Sequence, residues 1–174
     1  MNTERVMDNV EITAATIRFS AMNLLAMREH SVAELTQKLQ KKFGNPGSLD
    51  NRELFNCYEC ISATIAKLTD EGLQSDARFT EAFIVMRQRQ GKGPLLIRME
   101  LQDRGIDNEV VTAFMDASDP IWNQIAEKVF IKKFGDQVGQ DLKQMSKQMR
   151  FLTSRGFSPT NIQSALKRID PREE

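Results

Sequence analysis

The chain of 174 residues carries 24 Lys and Arg against 24 Asp and Glu, a formal charge of zero, which argues against a protein held to nucleic acid by bulk charge alone. Hydrophobic residues at 40% and charged residues at 28% sit near globular averages and argue against wholesale disorder. No apolar run approaches the roughly 20 residues of a membrane helix, and the N-terminus lacks the basic start and apolar stretch of a secretory signal, so a cytoplasmic location is expected.

Residues 1–13 show no clear periodicity and are expected to form a flexible tail. From there the apolar spacing is helical almost throughout. Ile17, Ala21, Leu24 and Leu25 mark a first helix. Ser31-x-x-Glu34 is a capping box opening a second, whose Val32, Leu35, Leu39 and Phe43 form one stripe ending at Gly44. After a loop at Pro46 and Gly47, Phe55, Tyr58, Ile61, Ile65 and Leu68 build a third helix that stops at Gly72. Ser75-Asp76 opens a fourth, with Phe79, Phe83 and Met86 on one face. Gly91-Lys92-Gly93-Pro94 breaks it, and Pro94 suits the first position of the next helix, where no amide is needed. Ile97 and Leu101 carry that fifth helix to Gly105. Asp107 opens a short one with Val110, Val111 and Phe114. Asp119-Pro120 starts a seventh through Trp122, Ile125, Val129 and Phe130. A break at Gly135 to Gly139 precedes Leu142, Met145, Met149 and Leu152, and Ser158-Pro159 opens a last helix with Ile162, Leu166 and Ile169, closed by Pro171.

Three junctions share a pattern: Glu71-Gly72-Leu73, Arg104-Gly105-Ile106-Asp107 and Arg155-Gly156-Phe157-Ser158. Glycine takes a left-handed C′ position without a Cβ clash, the apolar residue folds back on the helix it has left, and Asp or Ser offers an oxygen to the next helix. Arg104 and Arg155 are explained first by their place near the negative helix end. Nine short helices, with no convincing strand, group as three tandem three-helix repeats at residues 14–74, 75–118 and 119–170. A single triad buries too little surface, and its neighbours complete its core. A compact nine-helix bundle is the alternative.

Catalysis has little support. His30, the one histidine, sits at a helix junction, where a solvent-facing or end-capping role is expected. No metal-ligand spacing such as H-E-x-x-H occurs, and Cys57-x-x-Cys60 lacks a second pair or a nearby His, so both thiols read as buried helix residues. Gly91-Lys92-Gly93-Pro94 lacks the spacing of a phosphate loop and reads as a turn with a basic tip. No catalytic residue, metal or cofactor is expected, and the chain is not expected to be an enzyme.

The charges are segregated. Arg87, Arg89, Lys92 and Arg98 fall in a stretch without an acid, Asp107, Glu109, Asp116 and Asp119 in one without a base, and residues 121–168 hold nine bases against three acids. Among these, Lys143, Lys147 and Arg150 lie at i, i+4 and i+7, on one helix face opposite the Leu142, Met145, Met149, Leu152 stripe. Candidate partner-binding residues are therefore Arg87, Arg89, Lys92, Arg98, Lys132, Lys133, Lys143, Lys147 and Arg150, facing phosphates or an acidic protein surface.

The run Leu68-Thr-Asp-Glu-Gly-Leu-Gln-Ser-Asp-Ala-Arg-Phe-Thr-Glu-Ala-Phe83, followed by Gly91-Lys-Gly-Pro94 and Ile97-Arg-Met-Glu-Leu-Gln-Asp-Arg-Gly-Ile106, resembles the bacterial RecX regulatory proteins. The likeness extends to Ser31-Val-Ala-Glu-Leu-Thr-Gln-Lys-Leu39 and Arg155-Gly-Phe-Ser158. It leaves out the N-terminal tail and an insertion from Asn45 to Glu53. The resemblance implies an elongated, curved array of three-helix repeats that lies in the groove of the RecA filament on DNA. Such a protein limits filament growth and restrains strand exchange, ATP hydrolysis and co-protease activity, in DNA repair, recombination and the SOS response. It implies a non-enzymatic protein whose partner is the filament. The chain is expected to be a monomer with no membrane or small-molecule partner. The family tends toward a basic chain and this one is neutral, so the resemblance speaks for filament binding more than for direct DNA contact. A stand-alone DNA-binding protein, using its tight helix corners and basic clusters, is the competing reading.

Overall fold

The computed structural model describes residues 12–44, 47 and 49–170. Among the described residues there are nine α-helices and no strand. The expected tail to residue 11, Pro46 of the expected loop and Pro171 after the last helix lie outside the described residues. The chain divides into two compact units, Met1–Asp76 and Ala77–Glu174.

The first unit packs α1 (Ala14–Met27), α2 (Val32–Phe43) and α3 (Asn51–Asp70) on one another. Each start is capped by a side-chain oxygen: Thr13 for α1, Ser31 for α2 and Asp50 for α3. Asp50 accepts from the amides of Arg52 and Glu53, and the Glu53 carboxylate accepts from the amide of Asp50. The supposed insertion thus ends in the first turn of α3. Ile17, Ala21, Leu35, Leu39, Ile61 and Leu68 are fully buried, each large one contributing ~1.5–3 kcal/mol. The stripes shift slightly from expectation: Val32 and Phe55 are exposed. Of the two thiols expected to be buried, Cys60 is half-buried and Cys57 buried. Its thiol is pushed up from its ordinary pKa by burial and by neighbouring Cys60, so it stays protonated and packs as a small hydrophobe.

His30 is buried, not solvent-facing, with Nδ1 3.0 Å from the carbonyl of Arg28 at the end of α1. The carbonyl of His30 accepts from Nε2 of the buried Gln74, which also donates to Asp76; the Asp76 carboxylate takes the amide of Val32 at the start of α2. A polar side chain brought inside thereby ties the segment after α3 to the α1–α2 junction.

The second unit holds α4 (Asp76–Arg89, its first residue at the unit boundary), α5 (Pro94–Gln102), α6 (Asn108–Phe114), α7 (Ile121–Phe134), α8 (Leu142–Ser154) and α9 (Pro159–Ile169). Phe79, Phe83, Ile97, Leu101, Ile106, Val111, Met115 and Trp122 belong to one buried cluster. Ala126, Phe130, Leu152, Phe157, Ile162 and Ala165 belong to another, and Ile125 packs against both. Met86 and Phe114, expected on core faces, are exposed; Ile84 and Met115 are buried instead.

The Gly junctions form as the sequence predicts. Backbone amides of Leu73, Ile106 and Phe157 donate across the turn to the carbonyls of Leu68, Leu101 and Leu152 at 2.9, 3.1 and 3.3 Å. Ile106 and Phe157 are buried, and Leu73 is exposed, so the first copy is looser. Ser158 caps α9 through the amide of Asn161, whereas Asp107 makes no side-chain cap to α6. On α8 the buried side is Gln148 and Leu152, with Leu142 and Met149 exposed. Gln148 is drawn in because its amide accepts from Gly139 N and donates to Gln137 O, fastening the α7–α8 loop that apolar spacing does not register.

Candidate partner-binding site

Two of the glycine motifs of the second unit, at Gly91 to Pro94 and at Gly156, meet. Gly93 N donates to Arg155 O at 2.8 Å, and Leu95 N donates to Gly156 O at 3.1 Å, so the α4–α5 turn is stitched to the α8–α9 junction by backbone hydrogen bonds. A Cβ on Gly93 would collide with the Gly156 backbone, and one on Gly156 with Leu96. Gly91, at φ 70°, lies so close to α7 that a Cβ there would stand 2.5 Å from Cγ2 of Val129. Glycine is required at these points because two backbones and a helix surface share one place.

Those contacts leave a half-open groove of about 570 Å³ bounded by the end of α4 and its turn, α7 and the end of α8. Helix α7 supplies two faces. Trp122, Ala126 and Phe130 point into the core, while Ile121, Ile125 and Val129, one turn apart, line the groove. Phe151 completes the apolar floor. Arg89, Lys128, Lys132, Lys133 and Arg155 line the groove too, and among the described residues no carboxylate does. The acid nearest in sequence on α7, Glu127, pairs instead with Arg168 at 2.8 Å. The Arg155 guanidinium lies 5.2 Å from the Phe151 ring centroid and is within 3.5 Å of Gln90 O. Arg89, Lys132 and Lys133 all stand in the last turns of their helices, where a cation is favoured by the free carbonyls.

The expected residues therefore separate. Arg89, Lys132 and Lys133 come together in the groove. Arg87 does not: its Nε is 2.7 Å from Glu100 Oε2, close enough for an ion pair though not aligned as a hydrogen bond, and its guanidinium covers the Phe83 ring. Arg98 is half-buried, with Nε enclosed and without a hydrogen-bond partner. Lys92, half-buried at the tip of the turn, is not among the groove residues. Lys143, Lys147 and Arg150 are exposed on α8. Lys147 borders a second hollow, of about 640 Å³, which Asp136 and Asp170 also line.

Two groove cations escape the sequence reading. Lys128 was recoverable, since it precedes Lys132 by four residues on one helix face. Arg155 reads as a helix-end charge, and only the stitching of its junction to Gly93 brings it to the groove. Among the described residues no group of His, Cys, Asp and Glu could hold a metal ion, and no helix is long and apolar enough to cross a membrane.

Fold and site together define an all-α chain of short, tightly joined helices with a basic groove on its surface. Residues 75–115 match the second three-helix domain of RecX, and residues 123–166 the third. The chain is 39% identical over 151 residues to the regulatory protein RecX of Stenotrophomonas maltophilia, covering 87% of this chain and 85% of that one. With the RecX of Pseudomonas tolaasii it shares 36% over 154 residues, 88% and 92% of the two chains. The crystal structure of RecX from Lactobacillus salivarius superposes with a TM-score of 0.70 at 18% identity, over 91% of this chain and 97% of that one, a likeness of fold. The chain belongs to the RecX family of regulatory proteins.

Proposed function

We propose that this chain binds RecA filaments on DNA and limits their growth, lowering strand exchange, ATP hydrolysis and co-protease activity, as a cytoplasmic monomer. The observation that carries the reading is family membership along most of the chain, joined to a groove where five cations meet no carboxylate among the described residues. Three helical repeats, at residues 14–74, 75–118 and 119–170, present the contacting faces. Arg89, Lys132 and Lys133 contact the filament from the groove, Lys143, Lys147 and Arg150 from the exposed face of α8, and Lys92 from its turn. Arg87 and Arg98 are the weaker assignments, because their guanidinium groups are engaged or enclosed.

The test is RecA ATPase on single-stranded DNA with and without the chain. A dose-dependent fall is expected; an unaltered rate overturns the reading. Charge reversal at Lys143, Lys147 and Arg150 should weaken the inhibition and make it less sensitive to salt, since fewer counterions are then released. Unchanged inhibition by that variant removes these three from the contact face.

Direct DNA binding is the second reading, favoured by the same five cations. Binding to bare single- and double-stranded DNA without RecA separates the two: strong, sequence-dependent binding favours a DNA-binding protein, and weak binding the filament regulator.

A further inference from the structure

We propose that the groove between the α4–α5 turn, α7 and the end of α8 docks an acidic peptide segment bearing an apolar anchor, supplied by a protein partner. The proposal builds on the regulatory reading only in taking the partner to be a protein, and its test contains no RecA, so the two fail separately.

Charge complementarity selects the sign of the occupant. Arg89, Lys128, Lys132, Lys133 and Arg155 line the groove with no carboxylate among the described residues, in a chain whose formal charge is zero. A solvated basic face would not explain the floor. Ile121, Ile125, Val129 and Phe151 line the groove together with the cations, and Ile121 is 39% exposed. Side chains from an acidic segment can pair with the rim while an apolar one covers that floor, the arrangement of an interface with a dry centre and a polar edge.

The floor also decides between peptide and nucleic acid. A phosphate backbone gains nothing from aliphatic side chains, and a single strand binds where aromatic faces are open for its bases to stack on. The one aromatic here is already occupied: Arg155 lies over Phe151, and the Phe134 ring meets it edge-on with centroids 5.3 Å apart. A groove of about 570 Å³ admits a few side chains of an extended segment. Its walls are set by glycine contacts and backbone hydrogen bonds between the α4–α5 turn and the α8–α9 junction, so the site is formed before any partner arrives.

The experiment uses fluorescence anisotropy with the full chain and three fluorescein-labelled probes. These are a short peptide of Asp and Glu with two leucines, the same peptide with serines for the leucines, and an oligothymidylate of equal charge. The leucine peptide is expected to bind about tenfold or more tightly than the serine peptide, and to lose about tenfold with Lys128→Glu combined with Lys132→Glu. Arg89→Glu, an exposed site, gives a second reading should the double variant fold poorly, and Ile121→Ser should remove the preference for leucine. Failure of the leucine peptide to bind, equal binding of the two peptides, or indifference to the charge reversals overturns the proposal. So does tighter binding of oligothymidylate that the same reversals abolish, which assigns the groove to phosphate.

Discussion

His30 is held where protonation is costly. It is 2% exposed, its Nδ1 faces the Arg28 carbonyl, and its pKa is lowered from 6.5 chiefly by burial. The carbonyl contact and Glu34 favour the cation, but the charges of Arg28 and Lys38 oppose it. The unfolded chain therefore binds a proton as pH falls through about 6.5 while the folded chain does not, so stability is complete above that value and declines below it. Urea unfolding from about pH 7 to pH 5 should show this decline, and His30→Gln should flatten it. A slope undiminished in the variant would show that other groups cause it. The sequence marks His30 as a junction residue but not as buried, because its burial depends on Gln74, a polar residue brought to it from 44 positions away. Arg87 is the same lesson with the opposite sign: a base in an acid-free stretch reads as available, yet Glu100 lies one helix further on and engages it.

Helices were legible because their punctuation is local. Proline at the first position of α5 and α9, and side-chain caps at Ser31 and Ser158, need only neighbouring residues to act. Which face each helix buries was less so, because Gln148 on α8 turns inward to satisfy a loop rather than to leave water. The junction glycines show how much of an element's demand lies outside it. Gly72 and Gly156 have similar φ, 70° and 88°, but a Cβ on Gly72 meets nothing within 4 Å and one on Gly156 would strike Leu96. Gly72→Ala should cost the backbone strain alone, about 1–2 kcal/mol. Gly156→Ala adds a collision with the first turn of α5 and disturbs the bond from Leu95 N to Gly156 O, and should cost about 2 kcal/mol more. Denaturant midpoints decide it; equal losses would mean that Leu96 gives way and the stitch is soft.

At the scale of the molecule, the two compact units have cores that share no residue. Ile17, Leu35, Leu39, Ile61 and Leu68 belong wholly to Met1–Asp76, whereas Ile125 joins the two clusters of Ala77–Glu174. Cooperative unfolding follows shared burial, so the second unit is expected to melt as one body and the first to melt on its own account. The chain carries its own reporter, since its single Trp, Trp122, is buried in the second unit with Nε1 donating to Asp116 O at 2.7 Å. Leu39→Ala removes a fully buried side chain from the first core and should cost about 2–5 kcal/mol there. Far-UV circular dichroism, which sees all helices, should then split into two transitions, while the Trp122 fluorescence midpoint stays at its parent value. Ile125→Ala should do the reverse, lowering the Trp122 midpoint in a single step because both clusters lose a contact. If Leu39→Ala moves the Trp122 midpoint by as much as the circular dichroism, the units unfold together, and a partner that grips the basic groove would stabilise the whole chain rather than the second unit alone.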